Sequence, residues 1–178
     1  MKKPVLYLML GYPGSGKTTT ATIISELTGA VHLWADKTRN ERYPQPTHSH
    51  QENLDLYDYL NELTSKLLAN GKSVVFDTGF NFYKDRKRLR QIAARHGAAT
   101  WIIWVQTDNN LARKRATHPT HAKRNTYPQA MPAEQFERIS GTLEEPRSDE
   151  SVLAISGMAI SNSSVENLLT SAGVLPGS

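Results

Sequence analysis

The sequence predicts an α/β fold, a parallel sheet with helices packed on both of its faces. Three observations lead there. Short apolar runs alternate with stretches of helical period along the 178 residues. Residues 11–18, Gly-Tyr-Pro-Gly-Ser-Gly-Lys-Thr, fit the phosphate-binding pattern G-x-x-x-x-G-K-[ST], with a strand pattern before it and a helix pattern after it. Asp36 and Asp77 each close a strand-like run, and a parallel sheet collects its ligands at the carboxyl ends of its strands.

Each element has its own signal. Pro4 to Leu10 is an apolar run suited to a buried strand. Thr18 to Leu27 carries Ala21, Ile24 and Leu27 on one helical face, and Gly29 stops it. Val31 to Ala35 reads as the second strand. Lys37 to His50 is polar, holds Pro44 and Pro46, and reads as a long loop of the kind that is often functional. Ser49-x-x-Glu52 is a capping box for a helix whose stripe is Leu54, Tyr57, Leu60, Leu63, Leu67 and Leu68, ended by Asn70-Gly71. Ser73 to Phe76 is the third strand, and 78–81 turn the chain. A basic helix follows from about Tyr83 to His96, with Leu89, Ile92 and Ala93 inward and Gly97 as its stop. Thr100 to Gln106 is the fourth strand, and Asp108 an N-cap for a short helix through Leu111 and Arg115. Residues 117–131, with Pro119, Pro128 and few core-forming side chains, read as a lid, taken with its approaches as about 113–131. Pro132 opens a helix to about Leu143. Ser151 to Ile155 is the fifth strand, and Ser163-x-x-Glu166 caps a final helix that Gly173 ends. No internal repeat or heptad interrupts this order, so residues 1–178 are expected to form one domain.

Composition narrows the chemistry. The absence of cysteine rules out disulfides and thiolate sites. No apolar run approaches the roughly 20 residues of a membrane helix. Pro4 interrupts what otherwise resembles the start of a signal peptide, so a cytoplasmic location is expected. The net charge of +4 suits an anionic ligand without demanding nucleic acid.

The loop at residues 11–18 assigns roles. Glycines let the backbone aim several N–H groups into one concavity, and the following helix adds its positive end. Gly11, Tyr12, Pro13, Gly14, Ser15, Gly16, Lys17, Thr18 and Thr19 are therefore the candidate nucleotide-binding set. Lys17 would hold the β- and γ-phosphates. Thr18 and Asp77 would hold magnesium. Asp36, at the tip of the second strand, is placed to take a proton from an attacking hydroxyl, and Arg39 to clamp an acceptor phosphate or the moving group. Among Arg113, Arg115, Lys123 and Arg124, at least one is expected to neutralise charge on the transferring phosphoryl group, Arg115 and Arg124 foremost. Lys84, Arg86, Lys87, Arg88, Arg90 and Arg95 read first as a solvated face, and second as a track for a phosphate-rich acceptor. His118-x-x-His121 is not expected to bind metal, and Trp34, Trp101 and Trp104 belong to the core.

These residues resemble a family. The glycine loop, Asp36-x-x-Arg39, Val-Val-Phe-Asp77 with Arg86 nine residues on, residues 113–124, and Met-Pro-Ala-Glu-Gln-Phe leading to Leu-Glu-Glu-Pro146 are similar to the small P-loop kinases related to the kinase domain of polynucleotide kinase and to zeta toxins, described broadly as AAA-type ATP-binding proteins or predicted kinases. The resemblance covers about Leu6 to Ile155. It implies a three-layer P-loop NTPase fold with strand order 2-3-1-4-5, Asp36 as general base, Arg39 on the acceptor side and a lid arginine. It also implies ATP and magnesium as cofactors. Polynucleotide kinases have Asp-x-Thr-Asn after the third strand, whereas this chain has Asp-Thr-Gly-Phe-Asn, which departs from a polynucleotide acceptor. The expected activity is transfer of the γ-phosphate of ATP to a hydroxyl, on a small molecule or a nucleic-acid 5′-end. The alternative is a nucleotide-hydrolysing switch without a phosphorylated acceptor. No membrane and no obligate protein partner are expected.

Overall fold

The computed structural model describes residues 3–118 and 130–176. Five strands, β1 (Val5–Leu10), β2 (Val31–Trp34), β3 (Val74–Asp77), β4 (Ala99–Gln106) and β5 (Val152–Ser156), form one sheet in the order β2-β3-β1-β4-β5. Every pairing is parallel. Seven helices surround it: α1 (Lys17–Thr28), α2 (Ala35–Arg42), α3 (His50–Ala69), α4 (Tyr83–Arg95), α5 (Asn109–Thr117), α6 (Ala133–Ser140) and α7 (Asn162–Ser171). The count refers to the described residues. None of these helices is long and apolar enough to cross a membrane.

Side-chain alternation along β1 explains the three layers. Successive strand residues point to opposite faces. Leu6, Leu8 and Leu10 enter a cluster with Leu56 and Leu60 of α3 and Leu89 of α4. Tyr7 and Met9 enter the other, with Ala21 and Ile24 of α1 and Val165 and Leu169 of α7. A strand buried on both sides must be apolar throughout, which is why the run at residues 5–10 contains no polar residue. Each such side chain contributes roughly 1.5–3 kcal/mol through burial. The sheet thereby holds all five strand ends in one row, and the site lies along it.

The structure corrects four readings. Residues 35–42 are helical rather than loop. Lys37 and Glu41 sit one turn apart on this helix, and it ends at Tyr43, before Pro44, where the α conformation becomes costly. The buried stripe of α3 is Leu56, Leu60, Thr64 and Leu68, while Leu54 is exposed. Ser49 accepts from the Glu52 N–H, but the Glu52 carboxylate turns to Arg39 and residues 47–48, so only half of the capping box forms. The last helix is capped by Ser161 with Ser164, not by Ser163 with Glu166. The Asp108 cap of α5 and the Gly29 and Gly71 ends of α1 and α3 are as expected. The lid segment falls largely on 119–129, outside the described residues, and Lys123, Arg124 and His121 go with it.

Candidate active site

The glycine loop is held between β1 and α1 by neighbours on three sides. Ser15 N–H donates to the Tyr12 carbonyl at 3.1 Å, closing the turn. Gly14 adopts φ +79°, and a Cβ there would overlap the Ala112 carbonyl of α5. Gly16 caps α1 at φ +108°, with the Ile160 side chain where a Cβ would stand. Both positions thus combine left-handed backbone with close packing, which glycine alone meets without strain. The Thr107 hydroxyl donates to the Ser15 carbonyl at 2.9 Å, and Tyr12 packs on Phe136 of α6 at 6.5 Å between ring centroids. Ser15 itself is fully buried, with its hydroxyl unpartnered.

Lys17 points back across this loop. Its Nζ donates to the Gly11 carbonyl at 2.9 Å and to the Tyr12 carbonyl at 2.8 Å. Burial lowers its pKa to about 8, against the pull of Asp77 and Asp36, which favour the charged form. The three groups therefore share one electrostatic environment although they stand on α1, α2 and β3. Asp36 shows the converse. Burial, then the neighbouring Asp77 carboxylate, raise its pKa to about 6, and Lys17 and Arg39 only partly offset them. Asp77 is buried at the end of β3, where His32 Nε2 of β2 meets its Oδ2 at 3.0 Å. The His32 ring is stacked on Trp34 two residues further along the same strand face.

A second set of polar contacts joins α2, α3 and the end of β3. Arg39 is buried, and its guanidinium is paired with Glu52 through Nη1 and donates from Nη2 to Asn53 Oδ1 at 2.6 Å. Glu52 also accepts from the Thr47 N–H at 2.6 Å, the Thr47 hydroxyl at 2.8 Å and the His48 N–H at 3.3 Å. Burial works against ionisation of Glu52, but the bonds from Thr47, Arg39 and His48 outweigh it and hold its pKa at about 2. The clamp expected of Arg39 is thus occupied by an internal carboxylate. Tyr57 of α3 meets the Thr78 hydroxyl at 2.9 Å. Its pKa is raised by burial first, with Asp36 adding to it.

The remaining candidates are dispersed. Arg115 Nη1 donates to the Gly157 carbonyl at 3.0 Å, beside the glycine loop. Arg113 pairs with Glu137 of α6. Arg86, read from sequence as part of a solvated face, is fully buried. It pairs with Glu150 through Nε at 2.8 Å and Nη2 at 3.0 Å, and donates to the carbonyls of Phe80, Asn81 and Glu144. Sequence reasoning missed His32, Tyr57 and Glu52. The first interrupts an apolar strand, which is a usable signal. Tyr57 is explained equally well by the apolar stripe of its helix, and Glu52 by the capping box at the helix start.

Thr18, Asp77 and Asp36 offer hard oxygens of the kind magnesium prefers. Among the described residues no group of three or more His, Asp or Glu side chains gathers to form a protein cage. Magnesium keeps waters and takes one or two carboxylates together with substrate phosphates.

The comparisons with known proteins agree with this architecture. The model of the AAA domain family matches residues 6–146, and the chain belongs to that family. Its sheet order and surrounding helices are those of the P-loop kinase fold. Among solved structures, the chain is similar to a sugar kinase from Janibacter sp. HTCC2649 with a TM-score of 0.69 and 18% identity, over 98% of this chain and 97% of that one. It is similar to a gluconokinase from Sinorhizobium meliloti 1021 with a TM-score of 0.66 and 20% identity, over 98% and 93%. A Mycobacterium tuberculosis APS kinase, solved with AMPPNP and APS, superimposes with a TM-score of 0.67 and 15% identity, over 99% and 100%. No curated protein matches the sequence.

Proposed function

We propose that the protein is an ATP- and magnesium-dependent phosphotransferase that moves the γ-phosphate to a hydroxyl. The observation that carries this reading is that Lys17 of the glycine loop and Asp36 of α2 stand close enough to feel each other's charge. A phosphate-loop lysine and a half-buried carboxylate with its pKa raised to about 6 share one environment at the sheet's carboxyl edge.

In this reading the main-chain N–H groups of residues 11–19 receive the phosphates of ATP. Lys17 exchanges the Gly11 and Tyr12 carbonyls for phosphate oxygens, which restores its full charge. Asp36 takes the proton of the acceptor hydroxyl. The oxygen of that hydroxyl attacks the γ-phosphorus, the bond from phosphorus to the β–γ bridging oxygen breaks, and ADP leaves with the electron pair. Thr18 and Asp77 are the residues that would hold magnesium, which offsets the phosphate charge when bound. His32 orients the Asp77 carboxylate through its 3.0 Å contact. Arg115, beside the loop at Gly157, is the described residue best placed to neutralise charge on the moving group; Arg124, the other candidate, lies outside the described residues. The kinases that this chain superimposes on support the reaction class.

The basic helix α4 favours a small-molecule acceptor over a nucleic-acid 5′-end. Arg86 is consumed inside the protein, Arg90 pairs with Asp149, and Arg88 lies against Asp58. Half of the apparent track is thereby neutralised. The test is replacement of the base. Asp36→Asn should abolish transfer to any acceptor while leaving the affinity for ATP within about twofold, because it removes a proton acceptor and retains the shape. Undiminished transfer by the variant would refute the assignment.

A further inference from the structure

The sheet ends in two edge strands, β2 and β5, and they differ. β2 is four residues long and runs straight into α2, where the Thr38 hydroxyl donates to the Trp34 carbonyl at 2.9 Å. β5 is left open. The Ile102 N–H donates to the Ser151 carbonyl at 2.8 Å, and the Gly157 N–H donates to the Gln106 carbonyl at 2.8 Å. The odd-numbered residues of β5 therefore turn their main-chain groups to β4. Those of Val152, Ala154 and Ser156 point out of the sheet, as alternate residues of an edge strand must. Among the described residues, the only bond made to these outward groups is a long one, from the Ala159 N–H to the Ser156 carbonyl at 3.3 Å.

The surface beside this edge is uncharged. A groove of about 390 Å³ runs between β5 and α7, with Ala154, Ser156 and Ala159 on one side and Ser164, Asn167 and Ser171 on the other. None of its lining residues carries a charge. From Ser151 to Ser178, Glu166 is the only charged side chain, in a sequence with 21 Lys and Arg and 17 Asp and Glu. Met158, in the turn that follows β5, is 73% exposed, more than any other large apolar side chain among the described residues. Open edges are commonly guarded by charge, proline or a bulge. β5 has no charge and no proline, and its register with β4 is continuous over all five residues.

Charge also decides what fits there. A partner recognised by opposite charge finds none to meet on this surface. A second copy of the chain carries the same net charge of +4 and is repelled wherever that charge is displayed. The uncharged edge is the place where two copies meet without repulsion, and a two-fold contact must be complementary to itself. We propose that two copies of the chain pair through β5, antiparallel about a two-fold axis at Ala154, so that the two sheets become one. Ala154 exchanges main-chain bonds with the partner's Ala154, and Val152 lies opposite the partner's Ser156. The groove and Met158 supply the apolar contact that accompanies these bonds. Antiparallel pairing turns the two carboxyl edges in opposite directions, so neither glycine loop is covered.

Sedimentation equilibrium of the full chain tests this. The mass should rise from 19.9 kDa towards twice that value between about 1 and 200 µM, with a Kd on the order of 10 µM. Ala154→Pro should stay at the monomer mass over the same range with an unchanged far-UV circular dichroism spectrum. The N–H that it removes is not used by β4, and proline is tolerated at such an edge position. A parent chain that stays at 19.9 kDa throughout overturns the inference and leaves the edge to a strand from another protein. A dimer that forms equally well in Ala154→Pro also overturns it, because the contact then lies elsewhere. Where that variant does not fold, Ala154→Lys decides. It sets two like charges together at the axis and should weaken the dimer about tenfold or more at low salt, with partial recovery at high salt. An unchanged Kd refutes the pairing.

Discussion

Asp36 and Lys17 titrate close to neutrality, and they do so because they share a poorly solvated site. Free enzyme should therefore show a bell-shaped kcat/KM, rising with pH through about 6 as Asp36 ionises and falling above about 8 as Lys17 loses its proton. A pH profile with Asp36→Glu as control would check it, since only the acid limb should move. The same shift has a cost in stability. The folded pKa of Asp36 lies above its unfolded value of 3.8, so ionisation is harder in the folded chain. Its unfavourable contribution is absent below pH 4, grows as pH rises through 4 to 6, and is complete above that. Asp36→Asn should thus be more stable than the parent at pH 7.5 by on the order of 1 kcal/mol, after allowance for its partial exposure, and equal to it at pH 3.5. Chemical denaturation at the two pH values reads this difference. Both residues were legible in the sequence, because a contiguous loop names Lys17 and a strand end names Asp36. Arg39 was legible only as a cation. Its partner Glu52 looks like a capping residue, and nothing local says that the carboxylate turns away from the helix end.

Two buried ion pairs decide how the helices bound the site. Arg39–Glu52 ties α2 to the start of α3 and holds residues 47–48 against them. Because the pKa of Glu52 is depressed to about 2, this tie is fully present above pH 4.5 and is lost as pH falls towards 2. Acid titration followed by amide exchange should therefore loosen residues 43–53 before the sheet. Arg86–Glu150 ties α4 to the segment before β5, and Arg86 also carries the carbonyls of Phe80, Asn81 and Glu144. Arg86→Met leaves that carboxylate without its partner and should destabilise the fold by about 3–5 kcal/mol, measured by urea unfolding. Gly14→Ala should act more locally, pressing α5 off the phosphate loop and weakening ATP binding at least tenfold by titration calorimetry, while the sheet keeps its stability. Sequence reading placed nearly every element here but not these ties. Arg86 sits among six cations of one basic helix, and its burial depends on residues 144–150, of which Glu144 is 58 and Glu150 is 64 positions away. Helix α2 was hidden by Pro44 and Pro46, which mark its end rather than a loop.

At the scale of the molecule, the parallel sheet does the positioning. β1 is buried on both faces between two apolar clusters, so its end, the glycine loop, has rigid support. β2 and β3 end beside it with Asp36 and Asp77, and β4 and β5 end beside it with Thr107 and Gly157. Strand alternation and the loop motif made this arrangement readable before any coordinates, because a sheet of parallel strands has one ligand edge. The contacts of Arg39, Glu52 and Tyr57 were not readable, since they come from single side chains on α2 and α3 whose neighbours are set only by packing. The central claim is that this edge moves a phosphoryl group to an alcohol with Asp36 as base. It is tested most directly by incubating the protein and its Asp36→Asn variant with γ-labelled ATP, magnesium and a panel of hydroxyl-bearing acceptors, then separating labelled product from free phosphate. Label is expected in an acceptor with the parent chain and in none with the variant, and both should bind ATP equally. Label released only as free phosphate, at the same rate from both proteins, would contradict it and leave a nucleotide switch in its place.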